Sequence, residues 1–94
     1  MYDDADWSPR GDYIVKRHDV VPAEANEALL DPERIVIDPD YSSTSGRSVR
    51  IIGFSKTADD LITVIVLMDE GVTYGVNAWR SNARDRRIYR KGEL

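Results

Sequence analysis

The chain has 94 residues, 41% of them hydrophobic and 32% charged, which suits one small domain with an ordinary core. It contains no cysteine, so disulfides and thiolate chemistry are excluded, and its longest apolar run is far too short for a membrane span. The first residues are acidic and show no apolar signal segment, so we expect a cytoplasmic protein.

Charge is distributed unevenly along the chain. Residues 1–46 hold eleven acidic and four basic residues, a balance of −7, whereas residues 47–94 hold nine basic and six acidic residues, a balance of +3. The last eighteen residues alone contain five arginines and Lys91. This asymmetry favours a surface for an anionic partner. A solvated surface with no such partner accounts for it equally well.

Two helices are predicted in the N-terminal third of the chain. The first spans residues 9–18, with Ser8 as a candidate cap and Pro9 at the first helical position. The second begins at Pro22, and its alanines lie on the same side as Leu29. This small-residue side should let the second helix pack closely against its neighbour.

Four strands and a third helix follow. The segment LITVIVLMD is apolar at both parities, which predicts a central strand covered on both faces. Glu70 and Gly71 predict a tight hairpin turn after it. The order of elements predicts an α+β fold over residues 1–94: a small single domain with two N-terminal helices, a four-stranded antiparallel meander sheet and a C-terminal helix. The strand candidates are Arg34–Asp38, 48–55, 61–69 and 72–79.

The C-terminal helix is predicted to begin after a cap at Ser81 or Asn82 and to end at Gly92. A helical wheel places its basic residues on one outer arc and three other residues on the side facing the sheet. The outer arc contains Arg84, Arg86, Arg87, Arg90 and Lys91, and the inner side contains Asp85, Ile88 and Tyr89.

The inner acid, Asp85, needs a partner because an unpaired buried carboxylate is very costly. Arg50 and Arg80 are the candidates on the sheet. Asp85 is therefore predicted to orient an arginine rather than to react itself.

Several kinds of chemistry find no support in the sequence. There is one histidine and no cysteine, so no metal-ligand cluster is expected, and no glycine-rich phosphate loop or other cofactor motif is present. His18 is the one side chain whose ordinary pKa lies near neutrality, and it follows Lys16 and Arg17 at the end of the first helix. It either satisfies the helix C-terminus or takes part in proton transfer.

Cleavage of RNA without a metal would suit these residues. A histidine or lysine can move the protons, and arginines can stabilise the charge on the phosphorus. Trp79 and Tyr89 could stack on bases, although each could equally be a core aromatic, and the wheel favours the core for Tyr89.

Several short motifs together resemble one family. Trp7-x-Pro9, KRHDVVPAEANEAL, RSVRIIGFS, LITVIVL and NAWRSNARDRRIY occur in this order over most of the chain. They resemble the BrnT-type toxins of bacterial type II toxin–antitoxin systems, whose fold is similar to that of RelE-like ribonucleases. The matching positions are His18, Arg50, Asp85, Arg86 and Tyr89. Trp79 stands where the family usually has an arginine.

The resemblance implies a cytoplasmic endoribonuclease that inhibits translation, needs no metal or other cofactor, and is neutralised by a cognate antitoxin, typically a small DNA-binding protein. A homodimer or a toxin–antitoxin hetero-oligomer would be its assembled form, with no role for a membrane. We assign catalysis to His18, Arg50, Arg80 and Arg86, with His18 transferring protons and the arginines holding the phosphate. RNA contacts are assigned to Lys16, Trp79, Arg84 and Arg87, and orienting roles to Asp85 and Tyr89.

An alternative of a different class is a non-catalytic protein-interaction module with the same fold. The basic C-terminal helix would bind an acidic protein segment. Trp79 at the family's arginine position and the net charge of −4 favour this alternative.

Overall fold

The computed structural model describes residues 2–94 and places three helices on the two faces of one antiparallel sheet. Each strand pairs with the next, in the order β1-β2-β3-β4, which confirms the predicted α+β meander. No helix within residues 2–94 is long and apolar enough to cross a bilayer. The elements are α1 (Gly11–His18), α2 (Pro22–Leu29), β1 (Ile35–Ile37), β2 (Ser48–Ser55), β3 (Asp60–Asp69), β4 (Val72–Arg80) and α3 (Ala83–Lys91).

The main core lies between the sheet and the first two helices. Ala25, Ala28 and Leu29 of α2 are fully buried there, as the pattern of small residues predicts. The helix approaches β2 so closely that a Cβ atom added at Gly53 would lie 2.0 Å from the carbonyl oxygen of Ala28. Only glycine fits at that point of the strand.

The opposite face of the sheet carries a smaller core under α3. Ile88 of α3 packs there with Ile37 and Ile52. β3 is buried on both faces, because Ile62 and its alternate neighbours face α1 and α2 while Thr63 and its neighbours face the α3 side. The predicted central strand is confirmed.

Turn and cap chemistry follow the sequence closely in the second half of the chain. Glu70 and Gly71 have φ values of 49° and 80°, the paired positive values of the tight hairpin turn expected between β3 and β4. The Asn82 side chain accepts a hydrogen bond from the backbone N–H of Asp85, and Gly92 ends α3 with φ 81°. The predicted hairpin and both ends of α3 are confirmed.

The predicted start of the first helix is wrong. α1 begins at Gly11, because the Trp7 carbonyl accepts the N–H groups of both Arg10 and Gly11 and forms a turn before the helix. Ser8 does not cap the helix, since its hydroxyl donates to the carboxylate of Asp6, which precedes it in the chain. β1 is also one residue shorter at each end than the predicted segment.

Candidate functional site

Asp85 is fully buried at the start of α3, where it faces the sheet. Its carboxylate accepts bonds from the guanidinium of Arg50 at 2.7 Å, the hydroxyl of Tyr41 at 2.5 Å and the hydroxyl of Thr63 at 2.8 Å. The predicted pairing of this acid with a sheet arginine is confirmed, and Arg50 is the partner.

Arg50 is held between two carboxyl groups. Its Nε donates to Asp40 at 2.7 Å while its Nη1 donates to Asp85, and only 4% of the residue is exposed. Burial lowers the pKa of Arg50, but the bonds with Asp40 and Asp85 outweigh this effect and raise the pKa overall. Both carboxyl groups therefore fix the orientation of the Arg50 guanidinium through its Nε and Nη1 atoms.

Tyr41, which is not among the predicted site residues, completes this buried cluster. It lies in the loop between β1 and β2, which reads as a polar loop, and its ring lies under the guanidinium of Arg50 at 4.1 Å. Burial and the bond to Asp85 raise the pKa of Tyr41. The available signal was a large aromatic residue directly beside Asp40 in an otherwise small and polar loop.

Arg80 and Arg86 share a different carboxylate. Asp60, at the start of β3, accepts from Arg86 at 2.8 Å and from Arg80 at 3.2 Å. Arg86 also donates its Nε to the Ser81 carbonyl, so its side chain folds back onto the protein instead of lying on the outer arc. The bonds from Arg86 hold the pKa of Asp60 at about 2. Neither arginine lies in the Arg50 cluster.

Lowering the pH should break this link in a defined window. Because the pKa of Asp60 is lower in the folded protein than in the unfolded chain, its ionised form adds stability above pH about 4 that is lost as the pH falls to about 2. We expect the Tm of the wild type to fall more steeply across this window than that of Asp60→Asn, measured by circular dichroism. The exposed neighbour Asp59 supplies the control, since Asp59→Asn should keep the wild-type slope. Equal slopes in all three proteins would contradict the assigned role of Asp60.

His18 lies at the end of α1, against the edge strand β4. Its ring centroid is 5.8 Å from that of Trp79 and 6.0 Å from that of Tyr13. Trp79 in turn has the Arg50 guanidinium 5.4 Å from its ring centroid. The histidine and Trp79 are both half-buried. The structure thus brings the predicted site residues His18 and Trp79 together, and Arg50 lies against the Trp79 ring.

The residues assigned to RNA phosphates are exposed on two elements. Lys16 lies in the last turn of α1, and Arg84 and Arg87 lie on α3. The guanidinium of Arg84 covers the ring of Tyr41 at 3.8 Å. Positive charge therefore borders the aromatic side chains from both the α1 and the α3 directions.

Tyr89 has an anchoring position. Its hydroxyl donates to Asp31 at 2.5 Å, and its half-buried ring packs on the small core under α3. Burial, together with the bond to Asp31, raises its pKa to about 12. These contacts anchor Tyr89 on the side of α3 that faces the sheet, where the helical wheel placed it.

Another polar region lies outside the cluster around Arg50 and the contacts of His18. Within residues 2–94, no three His, Cys, Asp or Glu side chains gather in a geometry that could hold a metal ion. A cleft of about 250 Å³ contains none of the predicted site residues, and its acid Glu27 is already bonded to Ser55 and Thr57. The cleft is lined by Glu27, Leu30, Asp31, Pro32, Phe54 and Lys56.

Comparison with known proteins adds no relative. No protein-family model matches the chain, and no curated protein is significantly similar to it. The resemblance to BrnT-type toxins thus rests on the short motifs alone, and we argue function from the geometry of the side chains.

Proposed function

We propose that this protein is a cytoplasmic toxin of a type II toxin–antitoxin module that cleaves RNA without a metal and so inhibits translation. The observation that carries the proposal is the position of His18 beside the half-buried Trp79, with 5.8 Å between the two ring centroids. Bases stack on such rings, and the neighbouring exposed cations can contact the phosphates.

The roles within this site differ from those expected from the sequence. His18 takes the proton of the 2′-hydroxyl and returns a proton to the leaving 5′-oxygen. Lys16 is exposed two residues before His18, and the exposed Arg84 covers the Tyr41 ring. In this proposal they stabilise the developing phosphate charge. Arg50, held by its bonds to Asp40 and Asp85, packs against the Trp79 ring and keeps it in position.

The cognate antitoxin in this proposal is a small DNA-binding protein with an acidic segment. Its carboxylates would pair with the exposed cations that border His18, because charge complementarity speeds and orients association. Toxin and antitoxin would then form a hetero-oligomer in which RNA and antitoxin compete for one surface.

The proton-transfer role can be tested by replacing His18 with glutamine. We expect His18→Gln to reduce RNA cleavage by roughly 100- to 10,000-fold, the usual contribution of general acid–base catalysis. The measurements are cleavage of purified RNA and growth of a host after induced expression. Asp19→Asn is the matched control, because the next residue is exposed and has φ 55°, a conformation that asparagine tolerates.

Two outcomes separate the parts of this proposal. If the wild-type protein leaves growth and RNA intact, the toxin function is wrong. If His18→Gln cleaves RNA as fast as the wild type, the function stands and the proton-transfer role of His18 is wrong.

A second candidate function is a non-catalytic interaction module. The observation in its favour is that three of the four residues assigned to catalysis, Arg50, Arg80 and Arg86, are paired with carboxylates. The exposed Arg87 and Arg90 of α3 would bind an acidic protein segment. Tight binding of such a partner by a protein that neither binds nor cleaves RNA would establish this candidate.

A further inference from the structure

A continuous row of aromatic rings and cations crosses the protein from α1 to α3. Neighbours in the row lie 3.8 to 6.0 Å apart, measured between ring centroids or from a guanidinium carbon to a ring centroid. No segment of the sequence indicates it, because its members come from four separate parts of the chain. In spatial order, the row consists of Arg10, Tyr13, His18, Trp79, Arg50, Tyr41 and Arg84.

The middle of the row is rigid. Arg50 is buried and fixed by Asp40 and Asp85, and it lies against the rings of both Trp79 and Tyr41. Register pairing explains this arrangement, since Thr63 pairs with Trp79 on one side and with Ile52 on the other, so Trp79 shares a sheet face with Arg50. The two rings are therefore held in place before any ligand arrives.

The ends of the row are open to solvent. Tyr13 is 39% exposed, and the exposed Arg84 forms no ion pair with any residue from 2 to 94. Arg84 therefore remains available for an anion. Lys16 and Arg17 are exposed one turn of α1 away from Tyr13, so charge is present at both ends of the row.

We infer that this row is a stacking surface for the unpaired bases of single-stranded RNA. Planar bases stack on aromatic rings and on guanidinium planes, while exposed cations track the phosphates. A duplex offers phosphates but no free base faces, because its bases are stacked on one another and its deep major groove is closed to side chains. The inference specifies the substrate of the proposed ribonuclease, and in that respect it rests on the proposed function.

An acidic protein segment fits the row less well. Carboxylates would pair with Arg84 and Lys16, but they have no attraction to the rings of Tyr13 and Trp79, whose faces carry partial negative charge. A single strand offers both a planar base for the rings and a phosphate for the cations at the ends of the row.

The test measures binding of a fluorescently labelled 2′-O-methyl oligoribonucleotide of mixed sequence, which the proposed reaction cannot cleave. We expect Trp79→Ala to weaken binding roughly 5- to 150-fold, the range for loss of one base stack, and Trp79→Phe to retain most of the affinity. Phe54→Ala is the control for loss of an aromatic ring outside the row, since Phe54 is 37% exposed, close to the 39% of Tyr13. The corresponding duplex should bind weakly.

A second variant guards against a folding artefact. If Trp79→Ala does not fold, the comparison passes to Tyr13→Ala, whose exposed ring can be removed with little loss of packing. The inference is overturned if the alanine variant binds as tightly as the Phe54→Ala control. It is also overturned if the duplex binds as tightly as the single strand, or if an acidic peptide is the better ligand.

The failure of this inference is distinguishable from failure of the proposed function. Single-strand binding that depends on Trp79, without cleavage of ordinary RNA, supports the stacking surface and rejects the ribonuclease. Cleavage and toxicity that are unchanged in Trp79→Ala, with unchanged affinity, reject the stacking surface and leave the ribonuclease intact.

Discussion

Replacing Asp85 with alanine will lower the free energy of unfolding by about 3–5 kcal/mol. The substitution removes the carboxylate that accepts from Arg50, Tyr41 and Thr63. Arg50 stays buried but keeps only Asp40 as an anionic partner. An important part of the free-energy cost of removing its charge from water is then no longer offset. Urea unfolding followed by circular dichroism measures the loss.

Two further variants show what the loss depends on. Asp85→Asn keeps a side chain of the same shape that still accepts hydrogen bonds, so it should cost less than alanine. Asp69→Ala removes an exposed aspartate at the end of β3 and should change stability by less than about 0.5 kcal/mol. If Asp85→Ala were as mild as Asp69→Ala, the buried cluster would not hold α3 to the sheet.

Replacing Gly53 with alanine will destabilise the fold by about 3 kcal/mol. The added Cβ would lie 2.0 Å from the Ala28 oxygen and 2.8 Å from the Ala28 carbonyl carbon. Both atoms belong to the backbone, so no side-chain rotation relieves the clash and α2 must move away from β2. Thermal and urea unfolding both measure this change.

The matched control is alanine at Gly11, where the nearest atom is Cγ of Pro22 at 3.2 Å. That contact is tight but involves only a ring edge, so Gly11→Ala should cost less than about 1 kcal/mol. Similar losses at the two positions would show that α2 adjusts its distance from the sheet at little cost.

The sequence predicted best those elements whose signals are local. The Glu70-Gly71 turn, the Asn82 cap and the Gly92 end of α3 each depend on residues within a few positions of one another. The predicted start of α1 was wrong because the Trp7 carbonyl accepts hydrogen bonds from two N–H groups, so a turn precedes the helix. The helix preferences of the individual residues do not predict this turn.

The candidate site was predicted only in part, for a related reason. The wheel placed Asp85 inward, and burial then required a cation, so the pairing with Arg50 could be predicted. The second carboxyl partner, Asp40, lies in a loop whose path depends on the whole fold. The contacts of His18 with Trp79 are likewise set by how the end of α1 meets the edge of the sheet.

The two faces of the sheet are joined to their helices by different forces. α2 fully buries Ala25, Ala28 and Leu29, whereas α3 buries Ile88, packs the half-buried ring of Tyr89 beside it, and is otherwise attached through polar contacts. Segments with few buried apolar contacts open locally at a lower free energy than the core. Half of the exposed arginines within residues 2–94 lie on α3. A partner that binds them can therefore reshape this helix at low cost, while the layer of α1 and α2 stays closed.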